Sequence, residues 1–152
     1  MSNLLWLEDV HVGDKFGTDV YHLTTDAIIE FACAWDPQPF HLGEESARDT
    51  FFKGLAASGW QTAAITMRLL VTTGLPLATG IIGASIDLAW PTPTRPGDRL
   101  HVELEVTDVR VSKSDPSRGF ITAAYDTLNQ HGDVRQRTTA RLLAFTKPHG
   151  PA

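Results

Sequence analysis

An acid and an imidazole lie five positions apart in the stretch Asp36-Pro-Gln-Pro-Phe-His41. The two prolines between them, Pro37 and Pro39, fix their own φ angles, lack a backbone N–H and push the preceding residues toward extended conformations. The sequence therefore predicts a stiff loop that projects the side chains of Asp36 and His41 into one space. A carboxylate and an imidazole held in this way can position a water molecule and transfer its protons.

Spacing alone also allows a simpler interpretation, in which Asp36 caps the next turn and His41 is an ordinary surface histidine. A second candidate site begins at Gly59, where an apolar helical pattern starts. Free N–H groups and the positive end of the helix dipole at that point favour an oxyanion, and glycine allows a ligand to approach the backbone closely. A glycine at a helix start is, however, more often a plain packing residue.

The composition of the 152-residue chain is typical of one soluble globular domain, with 42% apolar and 20% charged residues. A net charge of -5 argues against broad nucleic-acid binding. No apolar run could span a bilayer and no signal peptide is visible at the N-terminus, so we expect a cytoplasmic protein without membrane contact. The single Cys33 fits a reducing compartment and is expected in the core, and the histidines share no metal-ligand spacing.

The first half of the chain predicts one strand and three helices. A strand over residues 16–23 precedes a helix that is capped at residues 24–26 and carries an apolar face of Ile28, Phe31, Ala32 and Trp35. A short helix follows over residues 44–51. A longer helix runs from Gly59 to about Thr73 and is apolar on nearly all sides, so we expect it to be buried.

The second half predicts long antiparallel strands over residues 81–90, 100–106, 120–128 and 134–146, with a hairpin turn at residues 129–133. The predicted fold class is α+β, with a curved antiparallel sheet wrapped around one central helix, which is the hotdog architecture. About five strands would leave an open edge and an uncovered face. We therefore expect a homodimer or a dimer of dimers, in which two sheets join edge to edge.

These motifs resemble the signature of the MaoC-like dehydratases, also called the (R)-specific enoyl-CoA hydratases, which is roughly Asp-x-Asn-Pro-x-His followed by a glycine-rich helix start. Asp36, Pro39 and His41 match the first part, and Ser58-Gly59-Trp60 lies where the family has its glycine. The stretch from Leu88 to Asp98 is similar to the family's Phe-x-x-Pro-Val-x-x-Gly-Asp, with an insertion. The chain departs from the family where Gln38 replaces the asparagine, Trp35 replaces a glycine and Met67 replaces a serine.

The resemblance implies reversible addition of water across the 2,3 double bond of a 2-enoyl thioester. Asp36 and His41 would hold the water, and Gly59 would stabilise the thioester oxyanion. It implies an acyl-CoA thioester as the substrate, with CoA as part of that substrate and no separate cofactor or metal. Contacts with the substrate are expected from Trp35, Gln38, Phe40 and Trp60. Arg95, in the proline-rich connection before Asp98, is the expected cation for the CoA phosphates, although it is equally well explained as a solvated loop charge.

Two other functions remain open. A hotdog acyl-CoA thioesterase would use a carboxylate to activate water against the thioester carbonyl, but residues 59–73 contain no Asp or Glu on which such an enzyme usually relies. A non-catalytic acyl-CoA binding subunit would not require the pair of Asp36 and His41.

Overall fold

The computed structural model describes residues 3–150 of the chain. An antiparallel sheet of six strands has the order β1-β4-β5-β6-β3, and β2 pairs separately with β4. The strands are β1 Lys15–Gly17, β2 Tyr21–His22, β3 Ile82–Ala89, β4 Arg99–Val111, β5 Arg118–Leu128 and β6 Val134–Phe145. The helices are α1 Thr25–Trp35, α2 Pro39–Leu42, α3 Glu44–Ala47 and α4 Gly59–Leu69, and a π-helical turn, Leu70–Gly74, extends α4.

The core lies between α4 and one face of the sheet. Along β4 the apolar side chains alternate with polar ones, and the buried members of this strand are Leu100, Val102, Leu104 and Val106. Strands β5 and β6 alternate in the same way, and α4 packs against β4 and β6. Apolar side chains on one face of the sheet and on one side of α4 thus enter a common core, which confirms the α+β hotdog architecture expected from the sequence.

Local signals in the sequence determine where α1 begins and ends. The Thr24 hydroxyl accepts a hydrogen bond from the Ala27 N–H at 3.2 Å, as the predicted cap requires. The helix ends at Trp35, one residue before Asp36 and Pro37. Ile28 and Ala32 are buried, whereas Trp35 is exposed. The apolar face of α1 is therefore narrower than its sequence pattern predicts.

Several expectations about the elements are wrong. The predicted first strand is split into β1 and β2, because Asp19 turns away from the sheet and donates its N–H to the Thr73 hydroxyl. The short helix ends at Ala47, where the Thr50 hydroxyl competes for the Ala47 carbonyl. Cys33 is exposed rather than part of the core.

The central helix is buried on one side only. Gln61, Thr62, Ile65, Thr66 and Leu69 face the core, whereas Trp60 and Met67 are exposed. Within the described residues, strand β3 pairs only with β6, and most of its residues are exposed. The fold therefore leaves open both an apolar side of α4 and one edge of the sheet.

Within residues 3–150, no helix combines the length and the apolar character that crossing a membrane requires.

Candidate active site

The junction between α1 and α2 positions Asp36 and His41. Asp36 closes α1 by donating its N–H to the Ala32 carbonyl at 2.9 Å. Pro39 then occupies the first position of α2, where its missing N–H has no helical partner to lose. The stretch predicted as a loop thus contains a helical turn, and this turn directs His41 inward. His41 is only 4% exposed, so it is not the surface histidine that the simpler interpretation of the sequence allows.

The backbone fixes the tautomer of His41. Its Nδ1 lies 2.6 Å from the carbonyl oxygen of Ala56. Because a carbonyl oxygen only accepts hydrogen bonds, the hydrogen on Nδ1 is the one donated, and Nε2 is left to exchange protons. Nε2 lies 3.3 Å from Oδ2 of Asp36. The imidazole is therefore held between a structural acceptor and the carboxylate.

The surroundings of Asp36 favour its charged form. Burial by itself raises the pKa of Asp36, but a hydrogen bond from Gln38, the Ser58 hydroxyl and the charge of His41 together lower it below its usual value. The Gln38 amide donates to Asp36 Oδ1 at 2.6 Å. Ser58 is fully buried, and within residues 3–150 its hydroxyl has no hydrogen-bonding interaction other than the one with the Asp36 carboxylate. Asp36 is thus an anion at neutral pH.

When His41 is neutral and carries its hydrogen on Nδ1, its Nε2 and the anionic Asp36 present two adjacent hydrogen-bond acceptors. Such a pair is satisfied by a water molecule that donates one hydrogen to each, or by a proton on Nε2. Both states are useful for general acid–base chemistry, because the pair can receive a proton from the water and release it to another atom.

Two free backbone donors lie beside this pair at the start of α4. No side chain caps the helix, and neither Gly59 N–H nor Trp60 N–H has an acceptor in the described part of the chain. A β-carbon at Gly59 would lie 2.5 Å from Cε2 of Trp90, so packing of the Trp90 indole requires glycine there. The Trp90 indole is held in turn by a hydrogen bond to Gln136 at 3.0 Å. Trp90 therefore forms a wall against Gly59.

The pair and the helix start open into one cavity of about 550 Å³. Of the predicted site residues, it brings together Asp36, Gln38, Phe40, His41, Gly59 and Trp60. A larger groove of about 640 Å³ lies along the sheet, but none of the predicted site residues lines it. The cavity at α4 is therefore the candidate active site.

The structure does not bring Trp35 or Arg95 into this cavity. Trp35 is 77% exposed at the end of α1. The Arg95 guanidinium donates to the carbonyls of Phe52, Gly54 and Leu55, at 2.6 to 3.2 Å. The Arg95 guanidinium is therefore engaged with the backbone that leads to Ala56, and its binding of the CoA phosphates stays a prediction.

Several residues of the cavity were not predicted from the sequence. Thr62 and Thr94 are buried in its wall and hydrogen-bonded to each other, and Arg135 lines it while paired with the buried Asp98 at 2.9 Å. Their signal in the sequence is weak, because Thr62 is a polar residue in an apolar helix, Thr94 lies in a connection and Arg135 lies in a strand. That signal does not identify the partner, since the partners are tens of residues away.

The chain is similar in sequence and fold to several known proteins. Residues 9–127 match the family model described as MaoC like domain. The uncharacterized protein YdeM of Bacillus subtilis is 32% identical over 125 residues, which cover 82% of this chain and 87% of that protein. A MaoC-like dehydratase from Rhodospirillum rubrum is 59% identical, with a TM-score of 0.94 over 95% of this chain and 99% of its own. The R-hydratase PhaJ1 from Pseudomonas aeruginosa is 25% identical, with a TM-score of 0.74 over 98% of this chain and 95% of its own.

Proposed function

Since the chain belongs to the MaoC-like domain family, we propose that it is a hydro-lyase that reversibly adds water across the 2,3 double bond of a 2-enoyl-CoA thioester. The observation that carries the proposal is the Asp36–His41 pair, with its Nε2 to Oδ2 distance of 3.3 Å beside two free N–H groups. The similarity to an R-hydratase supports the reaction class.

In the hydration direction, Asp36 and His41 hold one water molecule through its two hydrogens. The water oxygen bonds to the β-carbon, and one water proton passes to the pair. The pair then returns a proton to the α-carbon, so that one water is consumed and no other reactant is needed. The hydrogen bond from Nδ1 to Ala56 keeps Nε2 directed at the reacting atoms during both steps.

The thioester oxygen gains negative charge as the α-carbon becomes nucleophilic. We place this oxygen at the N–H groups of Gly59 and Trp60, where the dipole of α4 adds to their hydrogen bonds. One donor of this kind contributes roughly 3 kcal/mol to transition-state stabilisation in known oxyanion holes. Because Trp90 closes one side of Gly59, the thioester approaches from the side of His41.

The carboxylate of the cavity is placed less suitably for a thioesterase than for a hydratase. Asp36 is the only carboxylate among the described residues that line the cavity, and its position next to Nε2 of His41 suits proton transfer. Helix α4 contributes no acid. A binding subunit, in turn, has no need for an imidazole whose tautomer is fixed. A thioesterase would release free CoA and a binding subunit would give no product, so both differ from a hydratase in a measurable way.

The test is to incubate the protein with crotonyl-CoA and longer 2-enoyl-CoA thioesters. Hydration removes the enoyl absorbance without release of thiol, and this is the expected result. Release of free CoA would instead indicate hydrolysis. Binding of the thioester with neither change would indicate a non-catalytic subunit, and either result would refute the proposal.

We further propose that two copies pair through β3 and the exposed side of α4. β3 is an end strand with Ile82 and Ile86 exposed, and the exposed side of α4 carries Trp60 and Met67. Trp60 packs edge to face against Trp90, which follows β3, with ring centroids 5.3 Å apart. A second copy would continue the sheet and cover Ile82 and Ile86 of β3 and Met67 of α4.

A further inference from the structure

The cavity has an exposed rim and a buried floor. At the rim, Phe51 is 90% exposed and Trp60 is 64% exposed. On the floor, Thr62 is 1% exposed and Thr94 is 3% exposed, and all four residues line the cavity. The CoA arm must leave through the open rim because its phosphates need solvent. The acyl chain beyond the hydrated carbon therefore lies toward the floor.

The floor carries a hydrogen-bond donor without an acceptor. Thr62 Oγ1 donates to Thr94 Oγ1 at 2.9 Å, so the hydroxyl hydrogen of Thr94 is not used in this bond. No acceptor for it occurs among residues 3–150. A buried hydroxyl hydrogen without an acceptor is unfavourable, and an apolar acyl chain would leave it so. An oxygen atom on the acyl chain would satisfy it.

We propose that the Thr94 hydroxyl donates a hydrogen bond to an oxygen atom on the acyl chain, beyond the carbon that is hydrated. The substrates are then oxygenated 2-enoyl thioesters rather than simple aliphatic ones. This inference rests on the proposed function for its reaction, but the recognition of the acyl oxygen is a binding property and is measurable without turnover.

A purely structural role for the hydroxyl pair is the alternative, in which it ties the β3–β4 connection to α4. The backbone already joins this connection to the residues just before α4, because the Ala57 N–H donates to the Thr94 carbonyl at 2.9 Å. The chain also contains a matched pair. Thr66 and Thr127 are both buried and their hydroxyls lie 2.6 Å apart, yet neither lines the cavity.

The experiment compares substrates in which a hydroxyl replaces a methyl group. The pairs are 4-hydroxybut-2-enoyl-CoA with pent-2-enoyl-CoA, and 5-hydroxypent-2-enoyl-CoA with hex-2-enoyl-CoA. Both members of a pair carry the same oxygen acceptors in the CoA arm, so contacts with that arm cancel in the ratio of their kcat/KM values. We expect kcat/KM to favour the hydroxylated member of at least one pair by about tenfold.

In Thr94→Val this ratio should fall to about one, whereas Thr94→Ser, which keeps the hydroxyl, should retain most of it. Thr127→Val controls for the loss of a buried hydroxyl and should preserve the ratio. If Thr94→Val lowered kcat/KM equally for both members of each pair, the Thr94 hydroxyl would donate its hydrogen bond to the CoA arm and not to the acyl chain. That result, or the absence of any preference in the unaltered protein, would overturn the inference.

Calorimetry with the saturated ligands 4-hydroxybutanoyl-CoA and pentanoyl-CoA keeps the inference separate from the proposed reaction. A tenfold tighter Kd for the hydroxylated ligand, lost in Thr94→Val, would support it even if no thioester were hydrated. Equal Kd values with normal hydration would refute the role of Thr94 and leave the hydratase intact.

Discussion

Three contacts orient the side chains of Asp36 and His41. The Ala56 carbonyl holds Nδ1 of His41, the Gln38 amide holds Oδ1 of Asp36, and the remaining Oδ2 and Nε2 face each other. The atoms that the proposed mechanism does not use for proton transfer are therefore the ones engaged with the protein. The pair is oriented before a substrate arrives, which lowers the reorganisation that the reaction requires.

Asp36→Asn and His41→Gln should each lower kcat for enoyl-CoA hydration by at least about a hundredfold, because each removes one half of the proton-transfer pair. In the double variant kcat should be only slightly lower than in either single variant, since both groups act on one water in the proposed mechanism. Steady-state kinetics measures both effects. Near-normal hydration by both single variants would remove the assignment.

Substitutions at His41 and at Asp36 should differ in their effect on the free energy of unfolding. His41 is buried and bonded to Ala56, so His41→Ala should lower the free energy of unfolding by about 1–3 kcal/mol, which denaturant titration would measure. Gln at position 41 keeps an N–H donor and should be milder. Asp36→Asn removes no core contact and should leave the fold intact.

Gln38→Leu should raise the pKa of Asp36, because it removes a hydrogen bond that contributes to the lowered value. Because the pKa of Asp36 is lower in the folded protein than in the unfolded chain, the folded protein favours the carboxylate form. The stability gained from this carboxylate is therefore complete above the usual carboxyl pKa and is lost as pH falls through the lowered pKa of the folded protein. NMR titration of the Asp36 carboxyl carbon should show the rise. Gln130→Leu, at an exposed glutamine of the β5–β6 hairpin, is the control and should not move this titration.

At the scale of elements, the connection between α3 and α4 carries the acceptor that orients His41. This connection has little regular structure, and long-range contacts hold it. Arg95 binds three of its carbonyls, and the Leu55 N–H donates to the Glu44 carboxylate at 3.3 Å. The Ala56 N–H donates to the Phe40 carbonyl at 3.1 Å. The position of the Ala56 carbonyl thus depends on residues from α2, α3 and the β3–β4 connection.

Arg95→Met should reduce kcat, because loosening this connection moves the Ala56 carbonyl and releases His41. It should also lower the free energy of unfolding by about 2 kcal/mol, the typical worth of a hydrogen bond to a charged group. Kinetics and denaturant titration measure the two effects. Arg110→Met changes an exposed arginine of β4 and serves as the control.

A different outcome at Arg95 would restore the expectation derived from the sequence. If Arg95→Met raised KM for CoA thioesters, left kcat unchanged and had no effect on pantetheine thioesters without phosphates, then the guanidinium would bind the CoA phosphates.

At the scale of the whole molecule, the fold covers one side of α4 and leaves the other side exposed. The exposed apolar residues Ile82, Ile86, Trp60 and Met67 belong to the last strand of the sheet and to α4. The candidate cavity also opens there, since Trp60 and Trp90 line it. Assembly and substrate entry are therefore expected to involve neighbouring surfaces.

Ile86→Lys should convert the proposed dimer into a monomer, because it buries a charge in the joined edges of two sheets. Sedimentation velocity at micromolar concentration measures the change. Val111→Lys places the same charge at a similarly exposed position near the end of β4 and should leave the dimer intact. A monomer before any substitution would contradict the proposed assembly.

The sequence by itself determined the features that depend on neighbouring residues. The cap at Thr24, the end of α1 before Pro37 and the alternation along β4 are local, because hydrogen bonding, proline geometry and strand periodicity act over a few positions. These features were enough to predict the hotdog architecture, and the motif from Asp36 to His41 was enough to nominate the pair.

Only the tertiary structure decided which partners those residues meet. Ala56 fixes the tautomer of His41 from 15 positions away, Arg95 binds carbonyls 40 to 43 positions away, and Thr94 meets Thr62 across 32 positions. No local pattern encodes such contacts, because they follow from how α4, the connections and the sheet pack together. For the same reason the sequence predicted a free Arg95 and a fully buried α4. In the folded protein the Arg95 guanidinium instead binds backbone carbonyls, and one side of α4 is exposed.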